Sequence, residues 1–201
     1  MSPIPLSLRR KIVIALDADQ VAPAGGHDVT DPDSGEATTL SRYLSFKTVA
    51  WCKANLLRVN EDHVFLVTSL DPGSNAFDGG VLAAMWTSVY KDEDLRWDRM
   101  KEAEAALRRL AECLHAVGVS CTMEVLRGPP ADTIPEYAKV HRAEILAVQE
   151  VERSGIAAAV SYGWTDLCAK RCPCPTVMVK TNDLPENIAT ALDPPIPTST
   201  I

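Results

Sequence analysis

Residues Glu144–Lys180 read EILAVQEVERSGIAAAVSYGWTDLCAKRCPCPTVMVK. The stretch opens on the apolar run Ile145-Leu146-Ala147-Val148 and passes a polar bend ending at Ser154-Gly155. It continues through an Ala-rich segment and closes on Pro175-Thr176-Val177-Met178-Val179. Proline cannot continue a helix, so Pro173 and Pro175 end one just before a β-branched run. The order is strand, loop, helix, strand, and apolar strands joined by a helix pair in parallel through a crossover. The stretch is half of a layered α/β domain.

Three further strands lie upstream. Lys11–Leu16 (KIVIAL) is a continuous apolar run of the kind buried on both faces of a parallel sheet; His63–Leu70 (HVFLVTSL) and Val119–Leu126 follow. Between the first two, Leu40, Leu44, Lys47, Trp51 and Ala54 recur at helical spacing, with Thr38 or Thr39 as N-cap and an end near Leu57. Met100, Ala103, Leu107, Leu110, Leu114 and Val117 form the apolar stripe of a second helix. Lys101, Glu104, Arg108 and Glu112 lie on its solvated face, and Gly118 stops it at C′. Gly128-Pro129-Pro130 then turns the chain into a helix over Asp132–Arg142.

Alternating strands and helices predict an α/β fold: a single open five-stranded parallel sheet with helices on both faces and right-handed crossovers. Two stretches interrupt the alternation. Gln20–Thr39, with Gly25-Gly26 and Asp31-Pro32-Asp33, and Asp71–Tyr90, with Pro72-Gly73 and Gly79-Gly80, both follow strand carboxyl ends. They read as insertions, either lids or passive loops. The expected domain covers 11–180, after a lead over 1–10. Pro185, Pro194, Pro195 and Pro197 amid polar residues predict a disordered tail over 181–201.

The chain has 201 residues, 46% of them hydrophobic, which fits one domain of about 150 residues plus extensions. A net charge of −7, with a pI near 5.1, argues against sequence-independent nucleic-acid binding, which needs clustered Lys and Arg to neutralise phosphates. No apolar run approaches the ~20 residues that span a bilayer, so neither nucleic acid nor membrane is an expected partner. Arg9-Arg10-Lys11 leads straight into a strand rather than a signal-peptide core, and the expected location is cytoplasmic. A transit peptide is the alternative, but cleavage far enough in would remove the first strand.

Cys52, Cys113 and Cys121 are scattered singly, whereas Cys168, Cys172 and Cys174 form a C-x3-C-x-C cluster. That is not a common zinc spacing, and no histidine follows within finger distance, so no metal site is expected. Reduced, packed thiols are the default reading, with a redox role as the alternative. His27, His63, His115 and His141 sit apart, and no nucleophile elbow, Walker A loop or HExxH helix is present. No catalytic residue is assigned.

Arg153-Ser154-Gly155 and Pro173-Cys174-Pro175, with Asp17 after the first strand and the Gly128-x-Pro-Ala turn, resemble the universal stress protein family. The resemblance covers about Lys11–Lys180 outside the insertions. It implies a Rossmann-like sheet of the adenine nucleotide alpha hydrolase type, with strand order 3-2-1-4-5, and a homodimer through the last strand. It also implies a nucleotide crevice at the strand carboxyl ends. Candidate crevice residues are Asp17, Thr68, Gly128, Arg153, Ser154, Gly155, Gly163 and Thr165. In the family an Asp after the first strand hydrogen-bonds adenine or its ribose; on residues alone, Asp17 reads equally as a capping aspartate.

The resemblance fails at the phosphate loop. Nucleotide-binding members carry Gly-x2-Gly-x9-Gly-Ser/Thr, because backbone N–H groups must approach phosphates closely at a helix N-terminus. In this chain the three glycines fall on Gln149, Glu152 and Tyr162, and the hydroxyl on Gly163. Shifting the register by one residue recovers Gly163 and Thr165 but breaks the spacing to Pro173-Cys174-Pro175. Glu150 and Glu152 lie where a polyphosphate would, and at ~4 Å each unit repulsion is about 1 to 4 kcal/mol.

Three readings follow. One is a dimeric stress module with little or no ATP binding, working through protein contacts; this is the expected one. The second is a family member with ATP or AMP as cofactor, and Arg153 and Ser154 keep mononucleotide binding open. The third is an enzyme, either a nucleotide hydrolase or a thiol redox protein, which would need an activated base or a low-pKa thiolate.

Overall fold

The structure is a computed structural model that describes residues 4–21, 44–70, 91–150, 163–180 and 184–192. Five strands, β1 (Arg10–Leu16), β2 (Asp62–Leu70), β3 (Ser120–Arg127), β4 (Ile145–Glu150) and β5 (Thr176–Lys180), pair in parallel in the order 3-2-1-4-5. The described helices are α1 (Ala18–Val21), α2 (Leu44–Asn55), α3 (Lys91–Ala116), α4 (Pro130–Val140) and α5 (Trp164–Arg171).

Successive strand residues face opposite sides of a sheet. Ile12, Ile14 and Leu16 of β1 therefore join Val49 of α2 and Leu107 and Leu114 of α3 in one core. Val13 and Ala15 join Ile134 and Tyr137 of α4 and Cys168 of α5 in the other. The result is the expected Rossmann-like sheet with helices on both faces. Residues Ile12 to Leu16 are all buried, as a run without polar alternation requires of a central strand.

The strand starts are fixed by charge. Arg10 Nε and Nη2 donate to Asp62 Oδ1 and Oδ2 at 2.8 and 2.7 Å, directly across the β1–β2 register. Asp62 is fully buried and also accepts from Arg58 N–H at 2.7 Å, while Arg10 Nη2 reaches the Leu56 carbonyl at 2.8 Å. At the end of α3, Gly118 takes φ +77°; its N–H bonds the His115 carbonyl, and Val119 N–H bonds the Leu114 carbonyl. That is a Schellman C-terminus, at the glycine expected to stop the helix.

Several expectations need correction. The tail does not lack structure throughout: Glu186–Leu192 forms a 3-10 helix, with Leu192 buried and Leu184, Ile188 and Ala191 packed against the α2–α3 core. This explains a second difference. The apolar stripe expected on α2 accounts for only part of what is buried: Trp51 packs against the core and Ala54 is exposed, whereas Ser45, Phe46, Thr48, Val49, Ala50 and Cys52, all of them outside the stripe, are buried. A helix covered by the sheet on one side and by the tail on another has no single apolar face to read. Gln20 and Val21, placed in an insertion, belong to α1, and Val21 is buried. Helix α3 starts at Lys91, nine residues before its first stripe residue Met100, and α4 starts at Pro130, a position where a missing N–H costs nothing. The rest of the first insertion, all of the second, and the Ala-rich stretch before Gly163 lie outside the described residues.

Pro135 sits inside α4 and cannot donate to the Ala131 carbonyl one turn earlier. Arg171 Nη1 of α5 donates to that carbonyl at 3.3 Å and pairs with Asp132; Cys168 Sγ donates to the Pro130 carbonyl at 3.3 Å. These bonds hold α5 against α4 and so set where its first residue, Trp164, stands.

Candidate functional site

In an open parallel sheet the ligand crevice lies beyond the strand carboxyl ends, where the strand order reverses. Here that place is the junction of β1 and β4, and Asp17 follows β1 directly. Asp17 is half-buried; its Oδ2 accepts a hydrogen bond from the indole Nε1–H of Trp164 at 3.1 Å. Its backbone N–H donates to Gln149 Oε1 at 3.3 Å. Gln149 is fully buried at the end of β4, and its Nε2 has no hydrogen-bond partner among the described residues. The structure thus brings Asp17, Gln149 and Trp164 together. In sequence Gln149 reads as a lost glycine, and Trp164 carries no local signal for this contact.

The other expected residues are placed differently. Thr68 is fully buried, and its hydroxyl donates to the Leu16 carbonyl at 3.0 Å, which commits it to holding β2 against β1. Gly128 takes φ +118°, a conformation that favours glycine; its N–H bonds the Leu70 carbonyl at 3.0 Å and its own carbonyl accepts from Ser69 Oγ at 2.6 Å. Ser69 Oγ also meets Thr133 Oγ1 at 2.9 Å, so the turn after β3 is laced to β2 by its own hydroxyls. Arg153, Ser154 and Gly155 lie outside the described residues.

Gly163 is the N-cap of α5. The register shifted by one residue therefore coincides with the start of the helix, but the residue after the glycine is Trp164, and Thr165 is buried at the second helical position. A Cβ on Gly163 would lie 3.2 Å from Thr165 Oγ1 and 3.8 Å from Asp166 Oδ2. The Asp166 carboxylate in the first turn supplies the negative charge that a helix N-terminus favours.

Cys168 is buried in α5, whereas Cys172 and Cys174 stand half-buried between α5 and β5. Burial pushes Cys52, Cys121 and Cys168 up to about 12, and Cys172 Sγ lies 3.3 Å from Cys174 Sγ. At the opposite end of the sheet His63 Nδ1 and Nε2 lie 2.8 Å from Ser120 Oγ and 3.0 Å from Thr122 Oγ1. Phe65 stands between His63 and His141, with ring centroids 4.7 and 4.6 Å away, so two histidines far apart in sequence share one aromatic cluster. Among the described residues no three His, Cys, Asp or Glu side chains gather as a metal site would, and no helix is long and apolar enough to cross a membrane.

An open parallel sheet in the order 3-2-1-4-5, with an aspartate and a helix N-terminus facing each other across the switch point, defines a Rossmann-like binding fold. The model of the universal stress protein family matches residues 44–180, and the chain belongs to that family. Among solved structures, the protein MJ0577 is 14% identical over 86% of this chain and 96% of its own, with a TM-score of 0.56. UspA from Lactobacillus plantarum is 13% identical over 85% of this chain and 97% of its own, with a TM-score of 0.50. A universal stress protein family protein from Arabidopsis thaliana with AMP bound is 16% identical over 90% and 99%, with a TM-score of 0.46. No curated protein matches the chain.

Proposed function

We propose that this universal stress protein is a cytoplasmic homodimeric module with a degenerate phosphate-binding loop, which holds adenine nucleotides weakly or not at all and acts through protein contacts. Its working unit is the domain over 11–180, with the 3-10 segment Glu186–Leu192 packed against its core. The observation that carries this reading is the Trp164–Asp17 hydrogen bond: one oxygen of the carboxylate that would meet adenine or ribose, Oδ2, already accepts from the chain's own indole. Glu150 at the end of β4 and Asp166 in the first turn of α5 add negative charge where phosphates would sit. Gln149 fills with a side chain a position where the nucleotide-binding pattern has glycine.

The alternative, AMP or ATP as a bound cofactor, is favoured by one observation. Gln149 Nε2 is a buried donor lacking an acceptor among the described residues, and such a donor costs about 1 to 3 kcal/mol, which a polar ligand would recover. Nucleotide content decides between the two. Chromatography of the supernatant from acid-denatured purified protein is expected to show no stoichiometric adenine nucleotide; ATP or AMP at one per chain would overturn the reading.

The dimer is proposed through β5, which among the described residues is an edge strand paired only with β4. Val177 and Val179 of β5 pack into the core, whereas Met178 is 41% exposed. Met178→Lys is therefore a cleaner test than a change at Val177. Sedimentation should show a dimer at tens of micromolar that Met178→Lys dissociates; a monomer, or a dimer indifferent to the change, would remove β5 as the interface.

A further inference from the structure

The turn between α5 and β5 holds two thiols that the crevice does not use. Cys172 Sγ and Cys174 Sγ are 3.3 Å apart, and both side chains are half-buried. The backbone on either side is fixed. Cys172 N–H donates to the Cys168 carbonyl at 2.8 Å as the C-cap of α5, and the Pro175 carbonyl accepts from Leu146 N–H at 3.0 Å at the head of β5. Pro173, between the two cysteines, has its φ locked by its ring. A pair held this way loses little freedom on joining, which raises the effective concentration of one thiol at the other.

We propose that Cys172 and Cys174 form a reversible dithiol modification site that closes to an intramolecular disulfide on reaction with a low-molecular-weight disulfide of the glutathione class. Cys172, after losing its proton to water, attacks one sulfur of the small disulfide. The small disulfide's S–S bond breaks, a mixed disulfide forms at Cys172, and one small thiolate leaves. Cys174 then loses its proton to solvent and attacks Cys172 Sγ, expelling the second small thiolate. Two protein thiols give up two electrons and two protons, and one small disulfide becomes two small thiols.

Geometry distinguishes this pair from the other cysteines. Cys52 is fully buried, and Cys168 donates to the Pro130 carbonyl inside the α4–α5 contact. Burial first, and then the hydrogen bond with Cys172, push the Cys174 thiol up to about 12, which makes it the second sulfur to react. Closure draws the sulfurs from 3.3 Å to about 2 Å at the entrance to the edge strand β5, so the strand start is what the modification reaches.

The test uses the full chain, equilibrated with graded ratios of reduced to oxidised glutathione, quenched by alkylation and mapped by mass spectrometry. As the oxidised fraction rises, the peptide bearing both residues should escape alkylation and lose two hydrogens, and dithiothreitol should reverse this. In Cys174→Ser the reaction should stop at glutathione attached to Cys172. Alkylation of both residues at every ratio in the unaltered chain would overturn the proposal, whatever the variant's stability. So would a Cys174→Ser protein that takes no glutathione at Cys172.

Discussion

The indole N–H of Trp164, the first residue of α5, donates to the carboxylate of Asp17, the first residue after β1, at 3.1 Å across a sequence separation of 147 residues. The bond joins two segments on either side of the sheet's switch point. It gives Asp17 Oδ2 a partner from within the chain.

Trp164→Phe keeps the ring and removes the donor. Hydrogen bonds to charged groups contribute roughly 1.5 to 3 kcal/mol, and half-burial places this one near the lower end. The variant should lose about 1.5 kcal/mol of stability in urea denaturation. It should also gain about tenfold in adenosine affinity, which corresponds to about 1.4 kcal/mol. Unchanged adenosine binding together with the loss of stability would mean that Asp17 is only a structural acceptor.

The 3-10 segment Glu186–Leu192 should contribute to the core. Leu192 is 3% exposed, and Leu192→Ala should cost about 2 kcal/mol, the low end for truncating a buried leucine, because a short 3-10 segment relaxes more easily than a sheet. Ending the chain at residue 183 should cost more, since Leu184, Ile188 and Ala191 leave as well. Denaturation midpoints equal to the full chain would show that the segment is passive.

Asp62 is buried beneath Arg10, and removing one partner of a buried ion pair leaves the other uncompensated. Arg10→Met should lower stability by about 3 kcal/mol, with Arg58 N–H still bonding the carboxylate. Replacing both, as Arg10→Met with Asp62→Leu, should recover most of that loss, and a double-mutant cycle in guanidinium chloride measures it.

Stability should also fall on the acid side through His63. Burial is the main cause that holds this imidazole below its ordinary 6.5, with the charges of Arg9 and Lys11 adding to it. The unfolded chain then takes up the proton at a higher pH than the folded one. The His63 contribution is present above pH 6.5 and is lost as pH falls through 6.5 toward the folded value. His63→Gln should flatten the stability profile between about pH 7 and 5; an unchanged slope would assign it to other groups.

The central strand was legible because Ile12 to Leu16 are buried on both faces, which leaves a run without polar interruption. Gly118 was legible because a positive φ at a helix end selects glycine. The burial of α2 was not, because what covers it lies more than a hundred residues downstream, in a segment whose apolar residues Leu184, Ile188, Ala191 and Leu192 are interrupted by Pro185 and followed by Pro194. Their spacing of four, three and one was the signal available, masked by the tail's polar composition. At the crevice, Asp17 could be placed from its position after a strand. Trp164 could not be paired with it, because no local pattern reports a contact made by the packing of α5 on α4.

Calorimetric titration of adenosine, AMP and ATP into the unaltered full chain tests the central claim most directly. With Asp17 occupied by Trp164, Gln149 in place of a glycine, and Glu150 and Asp166 at the phosphate end, ATP should bind more weakly than ~100 µM, and AMP and adenosine no worse than ATP. Tight ATP binding, with affinity rising at each added phosphate from adenosine to ATP, would contradict the account.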